Sequence, residues 1–349
     1  MRPNWILLMY IFIAGTSLFL TVVIAAAAAF ARVYGWLAEP VTTLLDEILL
    51  PMAIVTLGIL PWPGFLALAR SIVRPTKLNE SHVQTESIGT AVAVIIALNE
   101  EQALGQVVDD FLGASEISSV IVVDNDSRDR TREIGKAAGA RVVVERRRGY
   151  GFACFRGLTE GLGSGHDAIV LCEGDGTFRA ADVRKLLAYL THADLVIGSR
   201  THSALLNGDS QLNSFTTLGN LFVAKLLQLR YWDWNVGGRV RLTDVGCTYR
   251  AIRTTALRKI LPALQIGGNY FGPHMVMVAL EHGLRVIEAP VTFWKRVGAS
   301  KGGNASWRAA FILGLQMIWH IMTHKVRPDL QPDTSGADAL QQAPSSQRR

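Results

Sequence analysis

Two stretches near the start of the chain, residues 6–30 and 48–69, run for 25 and 22 positions without a charged side chain. Each is long enough to cross a hydrocarbon core of about 30 Å as a helix, whose backbone hydrogen bonds close within the segment. Only five charged residues (Arg2, Arg32, Glu39, Asp46 and Glu47) precede position 70, although charged residues make up 18% of the 349. A single soluble domain is therefore disfavoured, and the sequence divides into a membrane segment followed by a globular one. The first run exceeds the roughly 7 to 15 apolar residues of a signal peptide, and a second run follows soon after. The pair is thus expected to be a transmembrane hairpin that anchors residues 1–74. Arg70, Arg74 and Lys77 follow the second run, whereas the connecting loop sets Arg32 against three acids. The positive-inside rule then puts the N-terminus and everything after Lys77 on the cytosolic side of the cell membrane. Pro51, Pro61 and Pro63 interrupt the second run, which is expected to kink or to enter the bilayer without a clean crossing.

Residues 75–88 are polar and read as a linker. Beyond them, short apolar runs at 91–97, 120–123, 141–144, 168–171, 195–197 and 286–291 alternate with helical spacing at 101–112, 131–138 and 180–190. That rhythm predicts an α/β fold, a mostly parallel sheet covered on both faces, with ligands at the carboxyl ends of the strands. Residues 305–324 suit an amphipathic helix, lying in a membrane interface or packed on the domain core. Residues 325–349, rich in Pro, Ser, Gln and Asp, suit a disordered tail. The formal charge of +6 is scattered, with Arg146-Arg147-Arg148 the longest basic run, so nucleic acid is not an expected partner. Membrane and phosphate are. Cys154, Cys172 and Cys247 are too few and too dispersed for a disulfide framework or a four-ligand zinc site, and read as small buried residues.

The loops after the strands carry the chemistry. The first strand leads into Asn99-Glu100-Glu101 and the second into Asp124-Asn125-Asp126-Ser127, acids and amides that can accept from ribose hydroxyls or base N–H groups, or cap the following helix. The third leads into Arg146-Arg147-Arg148-Gly149-Tyr150-Gly151, where small residues let backbone approach a phosphate and arginines add donors. Cys154 stands where a dinucleotide fingerprint needs its third glycine, and no Walker pattern occurs, so hydride transfer is not expected. The fourth leads into Glu173-Gly174-Asp175-Gly176, two carboxylates in a glycine turn that suit a hard divalent cation bridging to substrate phosphates.

Taken together, Asn99-Glu100-Glu101, the segment 123–131, Gly-Tyr-Gly-Phe-Ala (149–153), Glu-Gly-Asp-Gly (173–176), Gly198-Ser199-Arg200 and the segment 244–250 resemble family 2 glycosyltransferases. Within that family they are most similar to the dolichyl- or polyprenyl-phosphate sugar synthases. Arg296-Val297-Gly298-Ala299-Ser300-Lys301 resembles the segment that closes the catalytic domain in that branch. The resemblance covers about residues 91–301 and implies a GT-A fold over 89–304. It implies that Ala97, Asn99, Glu100 and Asp124 line the nucleotide base and ribose, with Asn125, Asp126, Arg148 and Gly174 also on the donor side and Gly151 at the diphosphate. Glu173 and Asp175 would bind Mg2+ or Mn2+. Arg200, Arg296, Ser300 and Lys301 would surround the acceptor phosphate and donor diphosphate. The sequence departs from the family pattern at Asn125, where a second Asp is usual, at Asp126, where Gly is usual, and at Glu173, where Asp is usual.

The implied reaction is inverting transfer of one sugar from a UDP- or GDP-linked hexose to a polyprenyl phosphate, resting on Asp175, Asp244 and Arg200. An anionic phosphate acceptor needs no strong general base; Asp244 would orient the acceptor, or act as base toward a hydroxyl. A glycolipid or small hydroxylated acceptor, and a silent nucleotide-binding membrane protein, are the alternatives. His274 and His282 sit in a helical segment and read as structural. Trp232, Trp234 and Trp294 read as interfacial or core residues.

Overall fold

The computed structural model describes residues 87–206, 214–231, 240–298 and 307–324. Both apolar runs, Trp232, Trp234, Ser300, Lys301, most of the linker and the tail lie outside these. Seven strands form one sheet: β1 (Ala91–Ala97), β2 (Ile117–Asp124), β3 (Arg141–Val144), β4 (Ala168–Glu173), β5 (Leu195–Ser199), β6 (Arg250–Arg253) and β7 (Val286–Pro290). Among the described residues eight helices accompany them: α1 (Leu104–Leu112), α2 (Thr131–Ala137), α3 (Tyr150–Leu162), α4 (Val183–Leu190), α5 (Ser214–Arg230), α6 (Thr254–Ile260), α7 (Phe271–Glu281) and α8 (Trp307–Thr323).

The strand order is β3-β2-β1-β4-β6-β5-β7. All pairings are parallel except those of β6, which runs against both β4 and β5. β1 is buried at all seven positions, as expected for a central strand covered on both faces. Its side chains alternate: Val94 and Ile96 meet α3 at Gly157, while Ile95 and Ala97 flank Gly174 together with Leu104 of α1. A Cβ at Gly157 would come within 2.4 Å of Val94, so glycine is what lets α3 lie this close to the sheet.

The order in which strands are added reverses between the parallel β1 and β4, because β2 and β3 extend from one side of β1 and the later strands from the other. Such a switch point opens a crevice at the carboxyl ends of the strands, and that is where the loops with the expected chemistry converge. Three local expectations change. Segment 101–112 becomes helical only at Leu104, segment 180–190 begins with a single 3-10 turn (Ala180–Asp182), and Tyr150–Leu162 is a helix from its first residue. The three cysteines are buried and unpaired. Among the described residues no helix is long and apolar enough to cross a membrane.

Candidate active site

A cleft of about 270 Å3 opens between the ends of β1 and β4, lined by Leu98 and Glu100 after β1, Asn125 after β2, Arg148–Tyr150 after β3, Glu173–Asp175 at the end of β4, and Asn269 and Arg296 from later in the chain. Its walls are stitched together by loop contacts. The backbone N–H of Asn99 donates to Ser127 Oγ at 2.8 Å, that of Glu100 to Thr131 Oγ1 at 2.8 Å, and that of Arg128 to Asn99 Oδ1 at 2.7 Å. Asn99 and Asp126 adopt left-handed φ values of 51° and 62°. Asp126 thus holds the conformation glycine takes most easily, at the very position where the family pattern has glycine.

Asn125 shows why an amide stands where an acid is usual. Its Nδ2 donates to the carbonyls of Glu145 at 3.0 Å and Arg147 at 2.9 Å, and its Oδ1 accepts from the Gly149 N–H at 3.1 Å. A carboxylate could make only the last of these. Gly149 itself has φ of 142°, and a Cβ there would meet the Gly267 carbonyl at 2.5 Å. Asp124 is fully buried, receives Arg132 Nε and the Ser127 N–H, and does not line the cleft. Nor do Ala97, Asn99, Asp126 and Gly151. Gly151 packs against the 266–268 loop, where a Cβ would sit 2.3 Å from the Ile266 carbonyl.

At the end of β4, Asp175 Oδ1 accepts from the N–H and hydroxyl of Thr177 at 3.0 and 2.6 Å. Its Oδ2 receives Arg296 Nη1 at 2.6 Å, and Arg296 Nη2 is bound by Glu100. One guanidinium therefore ties the end of β4 to the loop after β1. Glu173 Oε1 accepts the Thr248 hydroxyl at 2.6 Å, so the Tyr150 hydroxyl must be the donor to Thr248 Oγ1. Burial, with the neighbouring Asp175 adding to it, pushes the Glu173 carboxyl up to about 7. Among the described residues Arg296 is the only cation paired with these two carboxylates, which leaves them short of positive charge. Together with their hard oxygen donors, that deficit fits a divalent cation of the Mg2+ or Mn2+ kind.

Arg200 and Asp244 form a separate buried pair, with Nε–Oδ2 at 2.6 Å and Nη2–Oδ1 at 2.8 Å, and neither lines the cleft. Burial opposes the Arg200 charge, but Asp244 outweighs it and raises its pKa. A Cβ at Gly246 would lie 3.3 Å from Asn220 Oδ1 and 3.6 Å from Arg200 Nη2, so the pair and α5 meet at that glycine. Sequence reasoning passed over Tyr150, Thr248 and Asn269 as site residues. The Gly267-Gly268 pair ahead of Asn269 was the available signal, since such pairs mark turns at which backbone approaches closely.

The model of glycosyl transferase family 2 matches residues 92–260. An undecaprenyl-phosphate mannosyltransferase of Micrococcus luteus is 30% identical over 220 residues, 60% of this chain and 86% of that protein. The chain belongs to glycosyltransferase family 2. It is a glycosyltransferase enzyme, and the cleft at its switch point lies where the family 2 segments of the sequence converge. A polyprenol monophosphomannose synthase of Mycolicibacterium smegmatis is 29% identical over 231 residues, covering 63% of this chain and 83% of the other. Among solved structures, glucosyl-3-phosphoglycerate synthase from Mycobacterium tuberculosis, in complex with Mn2+ and uridine-diphosphate-glucose, has a TM-score of 0.51 at 17% identity. That match covers 75% of this chain and 86% of the other, and it establishes the GT-A-like fold of this family 2 chain.

Proposed function

We propose that this family 2 enzyme moves one sugar from a UDP- or GDP-linked hexose to a polyprenyl phosphate, with inversion, at the cytosolic face of a membrane to which residues 1–74 anchor it. The observation that carries the reading is an apolar groove of about 430 Å3 between α5 and α8, lined by Leu218, Phe222, Phe311 and Leu315 among others. One of its lining residues is Asn220, the side chain that flanks Gly246 beside Arg200. A groove that is greasy along its length and ends near a buried cation suits a lipid with a phosphate head. The names of the Micrococcus and Mycolicibacterium relatives, one an undecaprenyl-phosphate mannosyltransferase and the other a polyprenol monophosphomannose synthase, support the same acceptor class.

The residues divide the work as follows. Glu100, Asn125, Arg148 and Gly174 line the donor side of the cleft, with Asp124 and Asp126 shaping its wall from behind. Arg148 and Arg296 face the donor diphosphate, and their charge offsets the negative charge that grows on the leaving group. Asp175 with Glu173 would hold a divalent ion, whose contribution is Lewis-acid charge on that same diphosphate; the M. tuberculosis neighbour, named as a complex with Mn2+ and UDP-glucose, supports this. Asp244 is committed to Arg200, which positions the arginine and engages both oxygens of the Asp244 carboxylate. A phosphate acceptor arrives already ionised and needs no base.

Membranes containing the enzyme, supplied with labelled UDP- and GDP-hexoses, are expected to yield an acid-labile, chloroform-soluble sugar lipid that increases with added polyprenyl phosphate. A product that partitions into water with every donor would overturn the acceptor assignment. A hydroxyl acceptor is the second reading, favoured by Glu173, which near pH 7 can take up a proton.

A further inference from the structure

Away from the cleft, His274 of α7 meets His320 of α8 and His324, which follows α8 and keeps its helical spacing through a backbone hydrogen bond to His320 at 2.9 Å. One ring nitrogen from each lies within 4.8 Å of the other two, and the ring centroids are 5.0, 5.3 and 5.4 Å apart. None of the three lines the acidic cleft.

Acceptors outside the cluster fix the tautomers of His274 and His324. His274 Nε2 lies 2.9 Å from the Ala263 carbonyl, which can only accept, so that nitrogen carries the proton and Nδ1 is a bare lone pair. This Nδ1 accepts from His320 Nε2 at 3.0 Å, so in the metal-free protein the His320 proton sits on Nε2 and has to leave that nitrogen before it can ligate an ion. His324 Nε2 lies 3.2 Å from Glu281 Oε2, and Glu281 Oε1 accepts the Tyr231 hydroxyl at 2.6 Å. An outer ring nitrogen held by a carbonyl or a braced carboxylate, with the other left for donation, is how metal-ligating histidines are oriented. The nearby Arg230 donates to the carbonyls of Ile321 and His324, and its charge helps to keep Glu281 ionised. Burial holds both His274 and His320 down to about 4, so these two rings are neutral at ordinary pH.

We propose that His274, His320 and His324 bind a divalent transition ion of the zinc class, with Glu281 orienting His324 or completing the coordination, and that the ion locks α8 onto α7. Imidazole nitrogens with one carboxylate suit such an ion and not Mg2+, which prefers oxygen. His320 lies 46 residues from His274 in the chain, so the pairing leaves no local motif. The clamp matters because α8 carries the exposed Phe311, Ile312 and Trp319 on its outer side.

The test is a Co2+ titration of the metal-free full-length protein in detergent, read by visible absorption, with Zn2+-dependent thermal stabilisation as a second readout. One equivalent with a tetrahedral spectrum is expected in the wild type and equally in Asp175→Asn. Both readouts should vanish in His320→Ala and His324→Gln, and Tyr231→Phe should weaken Co2+ binding by roughly tenfold to a hundredfold. A wild type with only a weak octahedral spectrum, folded histidine variants that bind like the wild type, or a signal lost in Asp175→Asn would each overturn the proposal. If a histidine variant does not fold, the spectra of the wild type and Asp175→Asn decide by themselves.

Discussion

Asp244 receives Arg200 through Nε at 2.6 Å and Nη2 at 2.8 Å, and takes the backbone N–H of the same arginine at 3.1 Å. Glu288 in turn accepts the Asp244 N–H at 2.7 Å, which fixes the loop that presents the carboxylate. A buried pair of this kind contributes little while whole, yet halving it strands a charge. Asp244→Ala is expected to cost about 3–5 kcal/mol, and Arg200→Met combined with Asp244→Leu to recover most of that. Urea unfolding of the wild type, Asp244→Ala, the single variants Arg200→Met and Asp244→Leu and the double variant measures it; losses that simply add in the double variant would show that the two residues do not act as a unit.

Asp175→Asn keeps the shape of the turn but removes the charge that faces Arg296 and the leaving group. Turnover is expected to fall by roughly 10²–10³-fold, with initial rates that no longer respond to added Mg2+ or Mn2+. Unchanged metal dependence in the folded variant would refute the role given to Asp175.

Glu173 makes the metal-free protein sensitive to pH. Its carboxyl is held near 7 against 4.5 in an open chain, so between those values the folded state keeps a proton that the unfolded chain has released. The stability from this group is full below the lower value and is lost as pH rises through the upper one. Thermal melts without metal should therefore fall from about pH 5 to about pH 8, and Glu173→Gln should flatten that slope. A wild-type slope of the opposite sign would contradict the assignment.

Asn125→Asp restores the residue usual in the family, yet it is expected to destabilise this chain. The two carbonyls of Glu145 and Arg147 lose their donor and face a carboxylate instead, at a cost of about 1–3 kcal/mol. The loop that carries Arg148 should loosen with them, raising the KM for the nucleotide sugar. Denaturation curves and donor titration check both parts.

The central strands were legible because burial on two faces writes itself as an unbroken apolar run; β1 has the bounds expected from sequence. β6 was not, since Arg250-Ala-Ile-Arg253 hides a strand between two arginines, and Arg250 is buried only because the carbonyls of Gly272 and Cys247 receive it. Gly149 and Gly151 drew attention to a phosphate loop, but the helix of α3 begins between them at Tyr150, and its buried glycines serve contact with the sheet and the 266–268 loop as well. Asp124 looked open from its place after a strand; the Arg132 that covers it lies eight residues on, on the next helix. Local pattern thus reports which loops converge, while which atoms of a loop face inward depends on partners that only the fold supplies.

The antiparallel β6 also governs the order in which the chain can assemble. β1 to β4 pair among themselves and leave one edge of β4 to wait for β6, so that half can begin to close as soon as it has been synthesised. β5 cannot: β6 arrives about fifty residues later and β7 nearly ninety, and until then its Leu-Val-Ile run has two open edges. The vulnerable interval in the birth of this protein therefore falls in its second half, while an apolar strand waits for both of its neighbours.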